Sequence, residues 1–183
     1  MSTKVQKSTL YYPDRAPVRV QVEVDLEAVR PDQVMAQLMN YPSWTKWYPD
    51  VQACFESTPL SKVKQRNPSY PVGSTRQINI GGVVFDEEII AYENDADSDD
   101  RKEKVWAFSV FQTSQALVNC MVERVVLEPI YDNSNNNDNK VPVGTRVRYA
   151  AGLDIVWYLR PILKPIMERS MKQSWRKGFL NLR

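Results

Sequence analysis

Residues 18–26, VRVQVEVDL, alternate without error: Val18, Val20, Val22, Val24 and Leu26 against Arg19, Gln21, Glu23 and Asp25. Successive side chains of a strand point to opposite faces, so this pattern requires a sheet with one buried and one wet face. Such sheets are antiparallel, because parallel strands are usually covered on both sides. The rhythm returns late in the chain, where Val147, Tyr149, Ala151 and Leu153 oppose Arg146, Arg148 and Asp154. Any fold for this chain must therefore cover one apolar face of an antiparallel sheet.

The intervening sequence supplies more strands and few helices. RPDQVMAQLMN (30–40) reads as a helix, with Pro31 in its first turn and Val34, Met35, Leu38 and Met39 on one face. NYPSWTKWYPDV (40–51) is bounded by Pro42 and Pro49, which limit it to a short helical turn. VQACFES is a strand, followed by a polar, proline-rich loop, PLSKVKQRNPSYPVG. STRQINI and VVFDEEIIAYE flank Gly81-Gly82 and read as a hairpin, since paired glycines supply the positive φ of a tight turn. KVWAFSVFQ and ALVNCMVERVVLEP are two further strands; NDADSDDRKE is a solvated tip and IYDNSNNNDNK a low-complexity loop. From about Trp157 to Leu182 the chain is helical, with Pro161 and Pro165 confining the regular helix to the part after Pro165 or kinking it there. Leu163, Ile166, Met167, Ser170, Met171, Ser174 and Gly178 form one stripe of that helix. The order predicts an α+β fold: a meander of about seven antiparallel strands, two short helices after the first strand, and one long C-terminal helix as cover. A curved sheet gripping one helix leaves a cavity between them, where function would sit.

Composition removes several chemistries. The 183 residues contain no histidine, so Ser-His-Asp and Cys-His nucleophile systems and imidazole metal sites are excluded. Cys54 and Cys120 are too few for a disulfide framework or a thiolate metal site, which points to a reducing, cytoplasmic setting. A net charge of +2 does not suggest a nucleic-acid partner, and no apolar run reaches the roughly 18 residues of a membrane span. MSTKVQKSTLYYPD lacks the apolar stretch of a secretory signal; residues 1–17 read as a disordered arm, or as a short transit segment, ahead of a single domain at 18–183.

Several residues are candidates for a site. Tyr41, Trp44, Trp47 and Tyr48 form either a pocket wall or a plug at one end of the sheet, with Trp44 expected in the core and Trp47 near a cavity mouth. Glu87 and Glu88 lie mid-strand, so one faces inward as a potential acid or base, or pairs with Arg76, Arg124, Arg146 or Arg148. Asn119, Met121 and Glu123 share a face of their strand, and Trp106 and Tyr149 are further candidates for a pocket wall; a carboxylate with a tyrosine could hold or protonate a carbonyl, but nothing in the sequence places such a pair together. Asp95, Asp97 and Asp99 have calcium-loop spacing, but Asp100 and Trp106 stand where glycine and glutamate belong, so no metal is expected. Residues 157–183 carry seven Lys/Arg and one acid, Glu168; with Trp157, Trp175 and Phe179 they form either a weak anionic-membrane contact or a solvated helix face.

The first alternating strand, the helix start at Pro31–Val34, YPSWTKWYPDV, YPVGSTRQI, EEIIAYE and GTRVRY, in this order over residues 18–182, resemble the polyketide cyclase/dehydrase and lipid-transport group. That group belongs to the START-like, helix-grip, birch-pollen-allergen-like superfamily. The resemblance implies a hydrophobic cavity between sheet and long helix, entered near the short helices and strand loops, without a shared catalytic set. Long loops at 57–71 and 131–142 and the two prolines of the last helix depart from the pattern at the cavity mouth. The expected ligand contacts are Trp47, Tyr48, Phe85, Trp106, Phe108, Met121, Tyr149, Met167 and Met171. The expected function is that of a carrier or sensor for a lipid, isoprenoid or aromatic metabolite, with no cofactor and as monomer or dimer. An aromatase/cyclase- or dehydratase-type enzyme and a peripheral lipid-transfer protein are the alternatives.

Overall fold

The computed structural model describes residues 3–4, 12–58, 72–93, 103–132 and 141–182. A two-residue strand, β1 (Thr3–Lys4), is followed by β2 (Val18–Glu27), helix α1 (Pro31–Met39) and the four-residue helix α2 (Trp44–Trp47). Six strands come next: β3 (Val51–Thr58), β4 (Thr75–Ile80), β5 (Val83–Glu93), β6 (Lys104–Thr113), β7 (Val118–Ile130) and β8 (Gly144–Ile155). Helix α3 (Arg160–Leu180) closes the chain. The loop at 59–71, the acidic tip with its calcium-like spacing and the asparagine-rich segment at 133–140 lie outside the described residues.

The sheet runs β2-β8-β7-β6-β5-β4-β3, every pair antiparallel, with β1 pairing the end of β6. The expected α+β helix-grip architecture is the one observed. β2 and β3 are consecutive along the chain yet form opposite edges of the sheet. Residues 28–50, which carry α1 and α2, connect them. On β2 the alternation is fulfilled at every position: the valines and Leu26 are buried and Arg19, Gln21, Glu23 and Asp25 are exposed. β2 lies against β8 in unbroken register from Val18–Leu153 to Glu27–Gly144, so the two sequence alternations share one buried face.

Two expectations are corrected. Residues 12–17, assigned to a disordered arm, pack onto β8: Pro13 and Ala16 are buried, and a Cβ on Gly152 would stand 2.6 Å from Cα of Pro13. Helix α3 begins at Arg160 rather than after Pro165. Pro161 sits in the first turn, where its missing N–H has no helical partner in any case. Pro165 forfeits only one bond in the next turn, on the exposed side of the helix.

Candidate functional site

The hairpin β4–β5 shows how the chain builds the site. Gly81 and Gly82 both have positive φ, 57° and 84°, as a two-residue primed turn requires. That turn pairs Ile80 with Val83, and counting back pairs Ile78 with Phe85 and Arg76 with Glu87. Strand alternation then sends Arg76, Ile78 and Ile80 to the same face as Glu87, Phe85 and Val83. All six line a cavity of about 310 Å³ between the sheet and α3. Glu88, one residue out of phase, pairs with Thr75 and is not in the wall.

The cavity has two unlike ends. The outer end is made by Ile80 and Val83 at the hairpin tip, Gln115 and Leu117 in the β6–β7 turn, and Leu163 and Met167 early in α3. These residues are half-buried, except Gln115, which is exposed, so the mouth lies here. The inner end is closed by Trp44, Tyr48, Arg76, Glu87, Glu123 and Trp175, all buried.

Arg76 is fully buried, and its Nε donates to Oε2 of Glu87 at 2.5 Å. Its guanidinium carbon lies 4.2 Å from the Trp44 ring centroid, 4.3 Å from Phe108, 4.7 Å from Trp106 and 5.4 Å from Tyr41. Such desolvated cation–π contacts offset part of the cost of the buried charge. Yet Nη1 and Nη2 of Arg76 have no hydrogen-bond partner among the described residues. Burial works against the Arg76 charge, but Glu87 beside it holds its pKa above the ordinary value. Burial raises Glu87 despite the opposing pull of Arg76.

Glu123 stands on β7 opposite Phe108 of β6 and Ala151 of β8. Burial raises its pKa well above the usual carboxylate range, the neighbouring Glu87 charge adds to this, and Arg76 and the Tyr149 hydroxyl only partly oppose it. The carboxyl is thus held toward its neutral, proton-bearing form. The Tyr149 hydroxyl stands close enough to the Glu123 carboxyl to act on it, but among the described residues neither Oε2 of Glu123 nor that hydroxyl has a partner in full hydrogen-bond geometry. One buried cation, two carboxyls and several open hydrogen-bonding positions meet at the closed end of an apolar chamber. Cys54, nearby, is inert as a nucleophile because burial pushes its thiol up to about 12.

Of the expected contact residues, Tyr48, Phe85, Phe108, Met121, Met167 and Met171 line the cavity. Trp47, Trp106 and Tyr149 do not. Trp47, expected near the mouth, is buried against Trp44 at 4.6 Å between centroids, with Gly178 of α3 beside its ring. Its carbonyl accepts from Asn181 Nδ2 at 2.9 Å, which ties α2 to the end of α3. Trp44, expected in the core or in a pocket wall, is both; its Nε1 donates to the Leu38 carbonyl at 3.0 Å. Trp106 sits behind Arg76 and Phe108, and Tyr149 stacks on Trp175 at 4.2 Å, so both support the wall from outside it. Asn119 is exposed and does not share a face with Met121, because a bulge between Val118 and Cys120 shifts the alternation. Trp175 and Phe179, considered as membrane contacts, are buried, and Ile166 of the proposed inward stripe is exposed. Arg76, expected as a salt-bridge partner, also belongs to the cavity wall, and the glycine turn with its register is the sequence signal that places it there.

No protein-family model and no curated protein sequence matches the chain. Solved structures do. A hypothetical protein from Helicobacter pylori is similar over 98% of this chain and 94% of its own, with 13% identity and a TM-score of 0.66. A START superfamily protein from Mycobacterium smegmatis is similar over 90% of this chain and 94% of its own, at 11% identity and a TM-score of 0.60. This is a START-like helix-grip fold. The di-domain ARO/CYC BexL from the BE-7585A biosynthetic pathway shares it, at 13% identity over 90% of this chain and 44% of that one, with a TM-score of 0.57. Identities this low establish the shared fold alone.

Proposed function

We propose that the chain binds one small hydrophobic molecule, a lipid, isoprenoid or aromatic metabolite, between sheet and α3, as carrier or sensor. The observation that carries this reading is the cavity: about 310 Å³, apolar along its length and ended by the open Nη atoms of Arg76. That volume is at the small end of ligand sites, which pair an apolar wall with a few placed polar groups. A ligand with an apolar body and an oxygen-bearing head satisfies both ends: the body replaces water against Met121, Met167 and Met171, and the oxygen accepts from Arg76. Leaving buried donors open is costly, so a ligand that reaches them gains more than its area provides. Native mass spectrometry of the purified protein, followed by organic extraction, tests this. A bound apolar species, displaceable by a fluorescent apolar probe, is the expected result; an empty protein that binds no such probe contradicts it.

Glu123 favours a second reading, an acid/base enzyme on a polyketide-like substrate. A buried neutral carboxyl beside a tyrosine hydroxyl can protonate a carbonyl oxygen or return a proton in a dehydration. In that case Glu123→Gln abolishes turnover of a polyketide-like substrate and leaves its binding intact. If wild type leaves such a substrate unchanged, the carrier reading stands alone.

A further inference from the structure

The first half of α3 turns two adjoining faces, about 100° apart, to unlike surroundings. Leu163 and Met167 face the cavity, while the residues just before them, Ile162 and Ile166, are 63% and 58% exposed. Trp157 and Tyr158, on the turn before the helix, are 75% and 61% exposed, with their rings 5.9 Å apart. Tyr158, Ile162 and Ile166 are spaced by four residues, so they share one side of the helix entry. Pro161 and Pro165 on the same exposed side carry no backbone donor that would have to be desolvated. Four large apolar side chains thus stand together in solvent beside the mouth.

Charge decides what fits them. Exposed Arg169 and Lys172 follow over the next turns, and Glu168 is the lone acid between 157 and 177. Glu168 is engaged by Lys164 at 3.9 Å and accepts from the Arg19 backbone N–H at 3.2 Å. A second copy of the chain would bring this cationic turn against itself. An anionic lipid surface complements it, with headgroups for the cations and an acyl boundary for the isoleucines. Tryptophan and tyrosine suit that boundary because their rings are apolar and their tips polar.

We propose that Trp157, Tyr158, Ile162 and Ile166 dock the protein on an anionic phospholipid bilayer, with Arg169 and Lys172 over the headgroups. Docking in this pose sets the cavity mouth at the lipid boundary. That an apolar ligand enters there rests on the ligand-binding reading above; the docking itself does not.

Vesicle sedimentation tests it, with phosphatidylcholine vesicles beside mixed phosphatidylcholine–phosphatidylserine vesicles. Wild type sediments with the mixed vesicles at low salt and is released as salt rises. Ile162→Ser with Ile166→Ser lowers the partition coefficient by about tenfold or more, at an unchanged melting temperature. R169Q and K172Q combined abolish the preference for the mixed vesicles. Trp157 is the exposed tryptophan among the described residues, so a blue shift of emission on docking, absent in Trp157→Phe, reports its insertion. Failure of wild type to sediment with mixed vesicles overturns the proposal. So does full binding by the double serine variant, or a dimer in solution that this variant dissolves. A cavity-filling Ser174→Phe variant docks as wild type does, which separates failure of docking from failure of ligand binding.

Discussion

The two ends of α3 carry similar residues in opposite environments. Trp175 and Phe179 are buried among Trp44, Tyr48 and Tyr149, whereas Trp157, Tyr158 and Ile162 stand in solvent. The difference lies in what each end meets. The last turns meet α2 and the residue after it, where Trp47 and Tyr48 leave room only for Gly178. The first turns meet the open side of the sheet, where the hairpin tip and the β6–β7 turn leave the cavity unsealed. Inner contacts are therefore structural and outer ones are available for exchange. That contrast can be tested by substitution.

The largest effect is expected at the inner end. Arg76→Ala leaves Glu87 buried without its partner and is expected to cost about 3–5 kcal/mol, read as a loss of denaturation midpoint. The paired replacement of Arg76 by Met and Glu87 by Leu recovers most of that loss, because no charge is then stranded. Trp44→Ala should cost about 3–5 kcal/mol as well, through the void it opens between Trp47, Trp106 and Trp175.

Glu123 links the inner end to pH. Its folded pKa is raised above the ordinary 4.5, so from about pH 4.5 upward the unfolded chain releases a proton that the folded chain keeps. Stability is fully present below that point and falls as pH rises toward the folded value. Glu123→Gln should flatten this decline in a series of chemical denaturations across pH. Part of the slope remains, since Glu87 is raised in the same direction.

Gly152→Ala is expected to cost about 1–3 kcal/mol, because its Cβ meets Pro13 backbone at 2.6 Å and Ala16 Cβ at 2.8 Å. Faster proteolysis near residues 12–17 would report the displaced segment. At the outer end, Trp157→Ala should change the melting midpoint by no more than the equivalent of about 0.5 kcal/mol. A large loss there would erase the distinction between the two ends.

The fold was legible because its determinants are local and periodic. The valine alternation of β2, the glycine pair at 81–82 and the α3 stripe of Leu163, Met167, Met171 and Ser174 each fix a face without knowledge of the partner. The site was less legible because its residues are chosen by depth as well as by face. Trp106 and Tyr149 lie on inward faces, yet Phe108 and Trp175 stand between them and the cavity side. Trp44 and Trp47 are three residues apart on a single helical turn, and only the position of α3 decides which one reaches the cavity. Ile166 belongs to the apolar stripe by periodicity but lies at its margin, and it stays exposed. Asn119 was misplaced by a bulge, which adds one residue without a mark in the alternation.

The central claim is that the space between sheet and α3 holds one apolar ligand. Its most direct test is a titration with an apolar fluorescent probe, comparing wild type with Ser174→Phe, whose ring would fill the cavity from α3. One probe bound per wild-type chain, and at least a tenfold weaker affinity in a folded Ser174→Phe, is the expected result. Equal binding by the two proteins, or none by either, would contradict it.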